Sequence, residues 1–434
     1  MIIEPGLIPL AFAVLALMAL SAVPLAAATF FAAALLVCLN PNPLPDGFFL
    51  NYSLAMRLNS PALISIPLAA LAGELALASG HAAGLLETAD AIAGTGRRSV
   101  GARAILGCAF LGAVSGMGPA AAREQTRRLL RSPPPDGFRR EDAAGAIAAA
   151  AGLCVIIPAS PALTIYAAAA GLPANIVFTA SFLPGVLAAA ALLAASRFFP
   201  RLADNPAVAA EIPPIRRRAA LWRAKWSILL PVLTLATLFS GFFNAPEAAA
   251  FASAYAAIAC LRRPAGLAAI MDAMRQAALA AAEILLLVGV AGLFLSLLEA
   301  AGFQQRLAER LFALAGGSGG AIILMNLLLL AAGCLLDLPA IVALAAPLLL
   351  PLAAKCGLSP PHFGAMLAVN VAVGLLTPPQ AANLAAAARE AGTGSRQSAR
   401  ASLPFLAALL LCLAATAAVP ELSLWLPAWF GWPV

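Results

Sequence analysis

Apolar stretches long enough to cross a bilayer recur from one end of this chain to the other, and several are broken in the middle by residues that do not support a helix. The first property names the solvent and the second narrows the architecture. A span across roughly 30 Å of hydrocarbon takes about 20 apolar residues. With 63% of 434 residues hydrophobic and 10% charged, against about 25% charged in a soluble domain, the apolar excess belongs to the whole chain and not to one anchor. The length holds about 10–12 helical segments and leaves no room for a sizeable soluble domain. The expected fold class is an all-α polytopic membrane protein.

Residues 7–39 are apolar throughout, too long for one span, and Pro24 near the middle predicts two short helices. A polar interval at 40–59 carries Asn-Pro and Pro-Asp-Gly turn signals, and 61–79 forms the next span. The stretch 104–122 is interrupted by Ser115-Gly116-Met117-Gly118-Pro119, which predicts a hairpin or a broken helix. The element beginning near Ala143 is broken in turn by Pro158-Ala159-Ser160-Pro161. A span over about 175–195 leads into the longest hydrophilic stretch, 197–225, whose seven Arg or Lys residues make it cytoplasmic by the positive-inside rule. Residues 226–260 predict a helical pair turning at 241–246. A span near 277–301 precedes two more interrupted elements, around Asp337 and at 374–379, and 403–419 closes the chain.

The interruptions repeat. Ser115 to Pro158 is 43 residues and Asp337 to Pro378 is 41, and irregularities at matching offsets in two halves point to an internally repeated secondary transporter. The expected units are N-terminal scaffold helices at 1–60, a first repeat at 61–196, a basic linker at 197–225 and a second repeat at 226–434.

In hydrocarbon every peptide N–H and C=O must be paired, so open backbone survives at depth only inside protein or along a wet cavity. Helix N-termini exposed there attract anions, and unwound carbonyls and helix C-termini suit cations. Small residues at the tips (Ser115, Gly116, Gly118; Gly374, Thr377) are expected to let the two hairpins approach each other and to add hydroxyl oxygens suited to a hard cation. Asp337 is an acid in an apolar stretch, a cation or hydrogen-bonding candidate whose alternative is helix capping. Asn370 and Asn383 flank the Pro378 break. Glu247 fits a helix N-terminus. His81 and His362 adjoin loop residues, where solvated or interfacial positions are expected.

The net charge of +7 sits in short clusters between apolar runs and serves topology, so no nucleic-acid partner is expected. Seven isolated cysteines and two histidines form no metal motif. With no paired acidic motif either, an enzyme is not expected.

The stretches GAVSGMGPAA (112–121), IIPASPALTIYAAAAGL (156–172), GFFNAPEAAAFASAY (241–255), LLDLPAIVALAAPLLLPLAAKCGLSPPHFG (335–364) and NVAVGLLTPPQAANL (370–384) together resemble the large membrane subunit of tripartite ATP-independent periplasmic (TRAP) transporters, the DctM type, nearly end to end. The resemblance implies an inverted repeat with two re-entrant hairpins and two discontinuous helices, working as an elevator in the bacterial inner membrane. It implies import of a small organic acid anion (a C4-dicarboxylate, sialic acid or similar carboxylate), coupled to Na⁺. A periplasmic binding protein would deliver the substrate and a separate small four-helix membrane subunit would complete the complex in the lipid bilayer. The alternative is a single-chain ion-coupled carboxylate permease without a binding protein.

Carried over by residue, the cation positions are Ser115, Gly116, Asp337, Gly374, Thr377 and Pro378, and the substrate positions are Ser115, Pro158, Ser160, Asn370, Pro379 and Asn383. The chain departs from the family at Met117 in the Ser-Gly-Ser tip, at Ala159 in Ile-Pro-Pro-Ser, and at Ala381 where Gly is usual. Arg123, Glu124, Arg127 and Arg128 occupy a hairpin arm that is ordinarily apolar.

Overall fold

The computed structural model describes residues 4, 6–21, 23–40, 55, 57–93, 99–130, 139–197, 219, 221–264 and 266–432. The turn signals at 41–47, the run at 133–137 and most of the basic linker lie outside the described residues. The described residues contain helices and no strand.

Pro24 separates α1 (Leu7–Leu20) from α2 (Leu25–Cys38), because its ring and missing N–H cannot continue a helix. α3 (Pro61–Ala78) is followed by α4 (His81–Ala93), a short helix the hydropathy pattern does not announce. α5 (Ser99–Ser115) and α6 (Gly118–Leu130) form a hairpin, and α7 (Arg140–Ala151), α8 (Leu153–Ile156) and α9 (Pro161–Ala170) form a discontinuous helix opened at 157–160. α10 (Ala174–Arg197) completes this half.

α11 (Lys225–Phe239) and α12 (Ala245–Leu261) are the expected pair, with Asn244 and Glu247 closing a capping box at the turn. α13 (Gly266–Ala300) runs for 35 residues, beginning earlier than the apolar span alone indicates. α14 (Phe303–Ala315) precedes the second hairpin, α15 (Ser318–Leu335) and α16 (Leu338–Lys355). The second discontinuous helix is α17 (Pro360–Gly374) and α18 (Ala382–Ala391), followed by α19 (Ser395–Ala418) and α20 (Glu421–Trp429). Among the described residues, seven spans are long and apolar enough to cross a membrane and five more helices are shorter and apolar.

The order hairpin, discontinuous helix, 24-residue helix thus occurs twice, ending in α10 and α19. The discontinuous helices are the core. The most apolar window of 140–170 is 89% buried, whereas that of α15 is 22% buried and turns Ile323 and Leu327 outward. α2, α3, α12 and α13 pack together as a framework against which α9 and the second hairpin arm lie.

The hairpins enter from opposite ends. At one end Arg127 of α6 meets Glu390 of α18, a Cβ on Gly101 would touch Ser196 of α10, and one on Gly145 would touch Ser398 and Ser402 of α19. At the other, the Tyr166 hydroxyl donates to the Pro360 carbonyl and Lys355 of α16 lies over the Phe312 ring of α14. Each second hairpin arm packs on the far half of the other repeat's discontinuous helix, α6 on α18 and α16 on α9. Inside α16 the backbone widens to a π turn at Ile341–Ala345. Pro347 cannot donate to the carbonyl four residues back, and the wider turn relieves its clash.

His81 and His362 correct the sequence expectation, since both are buried. His81 Nδ1 lies 3.2 Å from Ser227 Oγ with the ring stacked on Tyr255, and His362 Nδ1 lies 2.6 Å from Ser423 Oγ. Packing by α11 and α12 covers the first and α20 the second, neither of which a local hydropathy pattern reveals.

Candidate functional site

The first hairpin turns at Gly116 with φ +62, a left-handed conformation that favours glycine. A Cβ there would stand 2.7 Å from the Ala159 carbonyl oxygen and 2.8 Å from the Ser160 Cα, so the tip lies directly on the opened segment of the first discontinuous helix. Two residues on, a Cβ at Gly118 would meet Asn383 Oδ1 at 2.6 Å and the Ala151 oxygen at 2.9 Å. Ser115, Gly116, Pro158, Ser160 and Asn383 are therefore one cluster, drawn from both repeats. The N-termini of α6, α9 and α18 converge on it. Neither α9 nor α18 has a side-chain cap, which leaves peptide N–H groups and partial positive charge facing the cluster.

The second hairpin meets the second break in the same manner. A Cβ at Gly374 would lie 2.8 Å from the Gly333 Cα and 3.2 Å from its oxygen. The Gln380 N–H donates to the Cys334 carbonyl at 3.1 Å and the Asn383 N–H to the Leu375 carbonyl at 3.1 Å, so the hairpin satisfies backbone that the break has opened. Gly374, Thr377, Pro378 and Pro379 lie in or beside this segment, and the Pro378–Pro379 bond is cis. Asp337 stands at the second tip as the N-cap of α16, accepting from the Ala340 N–H at 3.1 Å. The capping alternative is realised in the structure. Gly374 itself ends α17 and approaches Gly333, not the first hairpin.

Each break holds one alanine in left-handed backbone, Ala159 at φ +80 and Ala381 at φ +43. Such a conformation costs about 1–2 kcal/mol for an L-residue, and both alanines stand where the sequence departs from the family pattern.

Polar groups at the breaks lack protein partners. Ser160 Oγ, Asn370 Oδ1 and both side-chain polar atoms of Asn383 are buried with no hydrogen bond among the described residues. Leaving such atoms unpaired costs about 1–3 kcal/mol each, and that cost is offset when a ligand meets them. The Ser115 and Thr377 hydroxyls donate to the Leu111 and Val373 carbonyls at 3.1 and 2.8 Å. Their protons are thereby spent and only lone pairs remain on offer, which suits a cation.

Two clefts flank this region. One of about 200 Å³ is lined by Gly73 and Glu74 of α3, the tip residues Ser115 and Met117, and Arg123 and Arg127 of the arm. Another of about 500 Å³ lies at the opposite end, between Arg57, Asn59 and Asn244 on one side and Asn175, Ala343 and Pro347 on the other. The first hairpin is anchored at its base, where Arg128 reaches Asp90 of α4 at 2.8 Å and Arg127 reaches Glu390 at 3.1 Å.

The sequence profile of the tripartite ATP-independent periplasmic transporter, DctM component, matches residues 10–422. The chain belongs to this family. It is 30% identical to the C4-dicarboxylate TRAP transporter large permease protein DctM of Rhodobacter capsulatus, covering 85% of this chain and 87% of that one. It is 27% identical to the sialic acid TRAP transporter large permease protein SiaM of Vibrio cholerae, over 85% and 86% of the two chains. The solved structure of the YdaH transporter from Alcanivorax borkumensis superposes with a TM-score of 0.58 at 19% identity, covering 89% of this chain and 88% of that one, a likeness of fold. The chain is a multi-pass membrane protein of the TRAP large-permease type.

One polar residue at the site escapes the motif-based reading. Asn326, on the apolar α15, is hydrogen-bonded to Asn370. A single amide among leucines was the available signal.

Proposed function

We propose that this chain is the permease subunit of a sodium-coupled importer of a small organic acid anion, working in the bacterial inner membrane with a separate small four-helix subunit and a periplasmic binding protein. The observation that carries the reading is the set of buried, partnerless polar atoms on Ser160, Asn370 and Asn383 at the helix breaks. Converging N-termini of α6, α9 and α18 suit the carboxylate, and the lone pairs of Ser115 and Thr377, with the carbonyls around Gly374, suit Na⁺. Asp337 contributes by holding the second tip. Carboxylates are the substrate class because the relatives are named for a C4-dicarboxylate and for sialic acid.

The end bearing Arg103, Arg127, Arg128, Arg197, Arg262 and Arg389 is cytoplasmic by the positive-inside rule. The cleft beside Ser115 and Met117 then opens to the cytoplasm, and the cleft at Arg57 faces the periplasm. In an elevator cycle the hairpins and discontinuous helices move as one body against the framework of α2, α3, α12 and α13. Uptake of a labelled C4-dicarboxylate or sialic acid into proteoliposomes containing both membrane subunits and loaded binding protein tests this. A sodium gradient should raise uptake at least tenfold. Uptake indifferent to sodium overturns the coupling, and uptake without the binding protein overturns the tripartite assignment.

A further inference from the structure

One turn before the end of α17, Asn370 is fully buried, and its Nδ2 donates at 3.0 Å to the backbone oxygen of Asn326 and at 3.0 Å to its Oδ1. A backbone oxygen only accepts, so the atom facing it is the amide nitrogen and the Asn370 side chain has one orientation. Asn326 is itself held, its Nδ2 donating to the Ile322 carbonyl at 2.9 Å and to Met366 Sδ at 3.2 Å. With these donors spent, Asn370 Oδ1 is left buried with no partner among the described residues. Gly374 lies one turn beyond Asn370 and Gly333 two turns beyond Asn326. Those glycines touch, so the amide pair and the second break share one seam between α15 and α17.

We propose that Asn326 is a positioning residue that holds the Asn370 carbonyl oxygen as a ligand for the co-transported sodium ion. This rests on the sodium-coupled reading above. An amide oxygen whose own N–H groups are engaged repels a carboxylate and attracts an electropositive group. The anion's place is at the uncapped helix N-termini beside the first hairpin. Asn370 thus moves from the substrate set to the cation set, and Asn326, which touches neither ligand, acts through it.

The test uses sodium alone as the probe. The purified full-length chain in detergent is heated across a series in which NaCl replaces choline chloride at constant ionic strength. The unfolding midpoint of the wild type should rise saturably with sodium. Asn326→Leu and Asn370→Leu should raise the sodium concentration giving half that rise by about 5–10-fold. Asn326→Asp, which keeps an acceptor for the Asn370 amide, should stay within about twofold. Asn326→Ala, which removes the same acceptor with no added bulk, should raise that concentration likewise and serves if the leucine variants do not fold. Lower midpoints at an unchanged sodium dependence would mean that the pair is interhelical glue, and the proposal fails. A wild type that ignores sodium also overturns it. The transport reading stands or falls separately on uptake, which another coupling ion can drive.

Discussion

The two hairpin-and-break units share an order, run in opposite directions and each press a glycine onto opened backbone, yet they fasten that contact by different means. In the first, the contact is backbone on backbone, with Gly116 on the segment from Ala159 to Pro161 and fully buried alanines lining α7. In the second, the longer break at 375–381 borrows a hydrogen bond from Cys334, and an amide pair, Asn326 and Asn370, locks the hairpin to the helix. The first arm is pinned at its base by ion pairs from Arg127 and Arg128, whereas the second has an Asp337 cap and a π turn. A repeated fold therefore does not dictate repeated chemistry. In the first unit the uncapped start of α9 keeps peptide N–H groups toward the cluster, and in the second an amide oxygen, Asn370 Oδ1, stays without a partner among the described residues.

The largest expected effect tests the backbone contact of the first unit. Gly116→Ala adds a Cβ to a left-handed residue already pressed on the Ala159 carbonyl, and should cost about 3 kcal/mol in unfolding free energy. Gly374→Ala, crowded but not left-handed, should cost about 2 kcal/mol. Equal and small losses in chemical denaturation would erase the distinction between the units. Next, Asn383→Ala should lower uptake at least tenfold while stability stays within about 1 kcal/mol, because the native amide has no protein partner to lose. A large fall in stability with uptake retained would make Asn383 structural.

Asp337→Ala removes the cap and should cost about 1 kcal/mol, with Asp337→Asn within a few tenths. If Asn at this position keeps the stability but abolishes sodium-driven uptake, the carboxylate is more than a cap and the second unit binds its cation by charge. The smallest effects come from Ala159→Gly and Ala381→Gly, each expected to raise stability by up to about 1 kcal/mol through relief of the left-handed backbone. Thermal midpoints that fall in either variant would place the strain elsewhere.

Much of this was legible in the residues. Proline and glycine punctuation located both breaks and both hairpin tips, since in an apolar chain these residues can sit mid-span only where the helix is meant to open. Ser160, Asn370 and Asn383 were recognisable as polar groups beside those openings. Less legible were His81 and His362, whose burial depends on α11, α12 and α20 folding over them. Asn326 carried a signal that only its distant partner made meaningful. The cap at Asp337 was not legible in sequence because a cap and a cation ligand have the same composition, and only the folded backbone brings the Ala340 N–H within 3.1 Å of its carboxylate.

Composition and punctuation by themselves determined that the chain lives in a membrane, that it is helical, and where its helices stop. Those are local matters, settled by transfer free energies and by the dihedrals that Pro and Gly permit. The tertiary structure decided which stops meet. Gly118 lies beside Asn383, 265 positions further along the chain, because two repeats of opposite direction cross, and no local preference encodes a contact of that separation. Whether a buried polar atom is satisfied or left for a ligand is likewise a property of the assembled neighbours, which is why the candidate site became chemistry only in three dimensions.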